Sequence, residues 1–179
     1  MDVSAYAVEH IHASVREFCW SGSLTEDLPR SFDLIVSIEV LEHVPAADAA
    51  RVIANICEHA DDVLFSSTPF DYKELTHINV QPPEYWAEQF ARCGLYRDVD
   101  FNASFITPWA VRFRKRTDPA HRIVRDYERR FAALQIERNE IRKRAFEIHT
   151  ELAHARAPLT SKAWRLIRRT GGRLLRPFR

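Results

Sequence analysis

Residues 32–45 read F-D-L-I-V-S-I-E-V-L-E-H-V-P, an apolar run that stops abruptly at two carboxylates and an imidazole. No other stretch constrains the fold as much. Leu34, Ile35, Val36 and Ile38 make a short apolar run, the pattern of a strand buried on both faces in a parallel sheet covered by helices. In open α/β sheets, ligands bind just beyond the carboxyl ends of such strands. Glu39, Glu42 and His43 therefore stand where a site belongs, and a core strand has no other use for them.

The surrounding chain supplies the rest of an α/β layer. Ser4 suits the cap of a helix carrying Ala7, Val8 and Ile11 on one face, and residues 15–20 read as a strand, together one α/β unit. Pro45 opens a helix whose Ala49, Val52, Ile53, Ile56 and Cys57 recur at helical spacing. A strand over 63–67 is stopped by Pro69. Pro82-Pro83 starts a further helix with Trp86 and Phe90 turned inward and Gly94 as its stop. Residues 96–101 and 109–115 alternate apolar with polar side chains, as antiparallel strands do.

The sequence E-V-L-E-H-V at 39–44 resembles the fourth strand and following loop of class I S-adenosylmethionine-dependent methyltransferases. The resemblance runs over roughly residues 2–115. Asp2-Val3-Ser4 is similar to the end of the second strand, whose acid holds the ribose hydroxyls; 22–29 is similar to the loop beside the adenine. Residues 62–69 are similar to the fifth strand, and 77–80 with 84–95 to the substrate-side segment and next helix. The resemblance implies an α/β, Rossmann-like class I methyltransferase sheet closed by an antiparallel hairpin, with S-adenosylmethionine as cofactor. It assigns Asp2, Ser23, Leu24 and Glu39 to cofactor binding. Ser23 departs from the pattern, since many relatives have an acid there. The family's glycine-rich loop has no counterpart either, because the glycines are Gly22, Gly94, Gly171 and Gly172. The expectation is a sheet incomplete at its N-terminus, with an unpaired edge on the strand ending at Glu39 and half a cofactor pocket.

Methyl transfer is an in-line displacement, so the protein's work is to align the acceptor and remove a hydroxyl proton. His43 is the natural base, with Glu39 and Glu42 beside it as catalytic partners; its plainer role is to fix the loop or cap the next helix. His77, Tyr72 and Trp86 are the substrate-side residues, although aromatic residues at helix starts are more often core. Some relatives, including RNA 2′-O-methyltransferases, use an E-x-x-E-H for a divalent metal. The reading taken is metal-free, and Glu39, Glu42, His43 and His77 are the alternative ligand set.

The expected domain covers residues 1–116, with a long helix over 117–157 and a basic amphipathic tail over 158–179. Val124, Tyr127, Phe131, Leu134, Arg138, Ile141, Ala145, Ile148 and Leu152 alternate in steps of three and four, the period of a coiled coil. Self-association and folding back onto the domain both satisfy that seam, and Pro158 is expected to end it. Residues 162–179 hold seven cations and no acid, with Trp164, Ile167, Leu174 and Phe178 able to share one face. That composition suits an anionic membrane surface, with nucleic acid the disfavoured competitor. Cys19, Cys57 and Cys93 lack metal or disulfide spacing, and no apolar run reaches bilayer length. A cytoplasmic protein, peripheral at the inner membrane surface, is the corresponding expectation.

The expected activity is O-methylation of a small-molecule or glycan hydroxyl. The glycan preference comes from resemblance to methyltransferases of bacterial surface-polysaccharide pathways, which share the E-V-L-E-H core, the S-S-T-P strand end and an arginine-rich tail. The rivals are a non-catalytic interaction module using the helix and tail, and a metal-dependent RNA 2′-O-methyltransferase.

Overall fold

In the computed structural model, residues 1–171 have described backbone and residues 1–155 described side chains. The side chains of Trp164 and Ile167, and the whole of 172–179 with Leu174 and Phe178, lie outside the described residues. The chain divides into one unit of Met1–Tyr127 and a second from Glu128 onward.

The first unit is mixed α/β and Rossmann-like, built on four strands: β1 (Ile35–Ile38), β2 (Asp62–Ser66), β3 (Leu95–Arg97) and β4 (Val111–Lys115). Their order is β1-β2-β4-β3. β1 and β2 are parallel with Ile35 opposite Val63, so the chain must cross over between them, and α2 (Ala46–His59) is that crossover. β4 is antiparallel to both neighbours, with Asp62 opposite Arg114 and Leu95 opposite Lys115. The predicted closing hairpin is therefore present, with β4 inserted between β2 and β3. The Arg112 guanidinium grips the Asp62 carboxylate through two nitrogens, Nε at 2.8 Å, tying β4 to β2 across the ladder.

The core follows the helical and strand periods read from the sequence. Ala49, Val52, Ile53, Ile56 and Cys57 of α2 are buried, as are Trp86 and Phe90 of α3 (Pro83–Arg92). Val63, Phe65, Val111 and Phe113 meet them from alternate positions of β2 and β4. Phe90 stacks on Phe113 with centroids 4.3 Å apart, and Phe65 lies edge-on to Phe90 at 5.3 Å. Each such aromatic or aliphatic side chain contributes about 1.5–3 kcal/mol by leaving water. Gly94 has φ 80°, a conformation that other residues adopt only with strain, so it ends α3 and turns the chain into β3.

Three expectations are corrected. β1 is not buried on both faces: it is an edge strand, and Leu34 and Val36 are 46% and 57% exposed. Ser37 sits opposite Phe65 on the helix-covered face, while Val36 takes the other face, where α2 and α3 do not reach. Near the N-terminus, the predicted strand over 15–20 is a 3-10 segment (Ala13–Phe18), and α1 (Ala5–Glu9) buries none of its residues. Ser4 does cap α1, its Oγ accepting from the Ala7 N–H at 3.2 Å. Without a sheet position for 15–20, however, nothing draws that helix onto the core.

The third correction is at the far end, where α4 runs over Ala120–Gly171 and passes Pro158 instead of stopping there. Proline deletes one N–H and crowds the preceding turn, a cost of about 3 kcal/mol and not a prohibition. The first turns of α4 belong to the first unit: Ile123 is buried, Arg116 pairs with Asp126 at 3.0 Å, and the Tyr127 hydroxyl accepts from the Arg97 N–H. Beyond them, Phe131, Leu134, Ile141, Ile148 and Leu152 are all exposed. Among the described residues, no helix is long and apolar enough to cross a membrane.

Candidate functional site

The site begins where β1 ends. Glu39 has φ 52°, the only positive φ outside glycine among the described residues, and left-handed backbone there costs about 1–3 kcal/mol. Its surroundings hold it in place. The Glu39 N–H donates to the Ser66 carbonyl at 3.0 Å, while its Oε1 accepts from Ser66 Oγ at 2.5 Å and from Trp109 Nε1 at 2.9 Å. The turn this creates lets the next residues leave the strand as a single 3-10 turn (Leu41–His43).

That turn buries Leu41 and Glu42 completely. One Glu42 oxygen accepts from the Thr68 N–H at 3.3 Å, and its backbone carbonyl accepts from the Asn79 N–H at 2.9 Å. The other oxygen, Oε2, is buried and has no hydrogen-bond partner among the described residues. Burial pushes the Glu42 carboxyl above its ordinary range, and the neighbouring Glu39 carboxyl pushes it the same way. Asn79, itself buried, closes the turn by donating from Nδ2 to the Leu41 carbonyl at 3.3 Å.

His43 projects from the same turn and is exposed. Its Nδ1 lies 3.1 Å from the Thr76 carbonyl oxygen, which can only accept, so Nδ1 carries a hydrogen and, in the neutral ring, Nε2 is the nitrogen with the lone pair. His77 is fixed in the same tautomer by the Asp71 carbonyl at 3.0 Å. The two rings meet edge to face, 4.8 Å apart. Glu42, His43 and His77 each bring one ligand atom within 4.8 Å of the others. Glu39 stands outside this group, held by Ser66 and Trp109, so the four-residue ligand set contracts to three. One carboxylate and two imidazoles with carbonyl-fixed Nδ1 atoms suit a transition divalent ion, and the unpaired Glu42 Oε2 is consistent with one.

Beside His43 opens a cavity of about 400 Å³. It joins residues far apart in sequence: Asp2, Ser23 and Leu24 from the predicted cofactor segments, Val36 and Ser37 of β1, and His43. Asp2 is held by backbone bridging to Ser21 and by Ser4, whose N–H donates to one carboxylate oxygen at 2.8 Å. Ser23 pairs its hydroxyl with Thr25 at 2.8 Å. Beneath this loop, buried Asn55 of α2 donates from Nδ2 to the carbonyls of Leu24 at 2.8 Å and Glu26 at 2.6 Å. The cavity lies in the size range of small-molecule sites. Apolar walls, hydroxyls and one carboxylate fit the nucleoside part of S-adenosylmethionine, and no lysine or arginine is among the lining residues.

Two of the predicted substrate residues are elsewhere. Trp86 is 1% exposed and packs against Phe65 at 5.7 Å, so it belongs to the core and lines no part of this cavity; its size and flatness serve the helix–sheet contact. Tyr72 is 71% exposed and lines no part of this cavity, and neither does Glu39. Three residues that organise the site carried no sequence signal as site residues, Asn55, Thr76 and Trp109, and Ser66 was read only as part of the S-S-T-P strand end.

No family model and no curated protein matches the chain. Among solved structures the chain is similar to that titled "Crystal structure of TnmH", with 12% identity and a TM-score of 0.39. The match covers 54% of this chain and 34% of that one, so the chain spans about a third of the other's length. A likeness this slight carries no inference about activity, which has to be argued from the site's own geometry.

Proposed function

We infer that the chain is an S-adenosylmethionine-dependent methyltransferase domain that methylates a hydroxyl of a small molecule or glycan. One observation carries the reading: a single cavity is lined by Asp2, Ser23 and Leu24 together with an imidazole whose Nδ1 is engaged by the Thr76 carbonyl, leaving Nε2 as the nitrogen to accept a proton. When bound, the cofactor supplies an electrophilic methyl on sulfur. The chain's own residues do the remainder. Asp2 has a carboxylate oxygen beyond the one on Ser4 to accept from ribose hydroxyls, and Leu24 offers an apolar contact to a base. His43 accepts the acceptor hydroxyl's proton at Nε2, while Thr76 holds the ring's tautomer through that step. Glu39, locked by Ser66 and Trp109, fixes the strand end from which His43 is presented.

Calorimetric titration tests the cofactor side. The lining predicts that adenosine and S-adenosylhomocysteine bind with affinities within about fivefold of each other, and that Leu24→Arg abolishes both. If neither ligand binds at roughly millimolar concentration, the reading fails.

A second reading has the Glu42, His43 and His77 group in its favour. In it those three residues would hold a divalent ion, whose chemistry would be to polarise the acceptor hydroxyl, as in transfer to an RNA 2′-hydroxyl. Methyl transfer that is undiminished in chelator excludes this variant and leaves the first.

A further inference from the structure

We propose that α4 pairs with the α4 of a second copy of this chain, antiparallel, in a register that sets Arg138 against Ile141 of the partner helix. The starting point is an unpartnered seam. Phe131, Leu134, Arg138, Ile141, Ala145 and Ile148 follow heptad spacing over about 26 Å of helix, and every one is exposed. Six successive exposed seam positions on one helix face call for a partner of the same length and period, and a second α4 has both.

Charge and size decide the direction. In a parallel, in-register pair each seam residue meets its own copy, so Arg138 faces Arg138 and Ala145 faces Ala145. The first layer forces two cations together and the second leaves a gap. The flanks do little to offset this: Glu137 would meet Arg142, but Arg144 would meet His149. Reversing one helix about the midpoint of Arg138 and Ile141 removes both faults. Arg138 then packs its methylene stem on Ile141, Leu134 fills the space over Ala145, and Phe131 meets Ile148. The flanking positions become complementary, with Glu137 beside Arg144 and Arg130 beside Glu151, each pair occurring twice by symmetry. Charged pairs flanking a seam set partner choice and orientation, which is the discrimination required here. Ile136 and Phe146 lie off the seam and stay in solvent.

Sedimentation equilibrium of the full chain tests this, with far-UV circular dichroism as a check that each variant keeps its helix. A dimer is expected, and Ile141→Asp returns it to monomer. Glu137→Arg raises the dimer dissociation constant about tenfold, because two attractive pairs become repulsive. The decisive variant is Glu137→Arg with Arg144→Glu. In the antiparallel register this double swap restores wild-type affinity. In a parallel dimer it sets like charges together across the Glu137–Arg142 flank, and rescue comes instead from Glu137→Arg with Arg142→Glu. Rescue by that second pair overturns the proposal, as does a monomer at roughly 100 μM protein. A dimer indifferent to Ile141→Asp also overturns it, because the interface would then lie elsewhere.

Discussion

Replacing Asn55 with alanine isolates how the cavity's loop is held. Asn55 is 7% exposed on α2, and its Nδ2 is the donor for two carbonyls of the 22–29 loop, at 2.8 and 2.6 Å. Each intramolecular hydrogen bond contributes about 0.5–1.5 kcal/mol net, so losing both costs about 1–3 kcal/mol. The two ends differ. Glu26 is exposed and its carbonyl can turn to water, whereas Leu24 is partly buried and packs on the core, so its carbonyl bears most of the loss. Part of the cost is offset because Asn55 Oδ1 is buried without a partner, and alanine removes it. A net loss near 2 kcal/mol follows, read as a shift of the urea midpoint at constant slope. The same change frees the segment bearing Ser23 and Leu24, so adenosine affinity should fall about tenfold or more. A variant that loses stability but binds adenosine as before would refute the clamp, and a loss below about 0.5 kcal/mol would refute the hydrogen-bond assignment.

Three further outcomes are expected. Glu42→Gln should flatten the pH dependence of stability: a carboxyl raised in the folded state holds its proton longer there, so wild-type stability falls as pH rises from the unfolded value to the folded one. The glutamine variant should therefore gain on wild type at neutral pH and show no gain in acid, and parallel denaturation curves at both pH values would contradict this. His43→Ala should lower turnover on the true acceptor about a hundredfold with cofactor affinity unchanged, whereas equal turnover would return His43 to a loop-fixing role. Stopping the chain at Ser161 should abolish sedimentation with acidic vesicles, since the seven cations of 162–179 each add about 1 kcal/mol near such a surface; equal sedimentation of both chains would remove the membrane partner.

What could be read from residues alone follows the range of the forces involved. α2 was legible because Ala49, Val52, Ile53, Ile56 and Cys57 repeat locally and Pro45 marks the start, and all five are buried. The same holds for β2, and for α3 between its prolines and Gly94. Glu42 and His43 were legible because carboxylates and an imidazole after an apolar strand have few structural uses. The exposure of Val36 was not, because burial on both faces depends on neighbours that no local pattern reports. Trp109 and Ser66 reach Glu39 across 70 and 27 residues, and Asn55 reaches Leu24 across 31. Those meetings are set by sheet register and helix placement. Trp86 carried two readings, an inward core position by helical spacing and a substrate-side position by resemblance, and its burial agrees with the first.

The open edge of β1 has a consequence for the molecule's behaviour in crowded solution. No described strand pairs with its outer side, so the backbone donors and acceptors along Ile35–Ile38 form a ready template, with Leu34 and Val36 supplying a greasy margin. Extended backbone of any origin is favoured there over a helix. Strand-on-strand association thus competes with the native state, and rises with concentration. A lysine at position 36 would blunt the template and leave the helix-covered face of the strand untouched, but would set a cation in the wall of the cavity that Val36 lines.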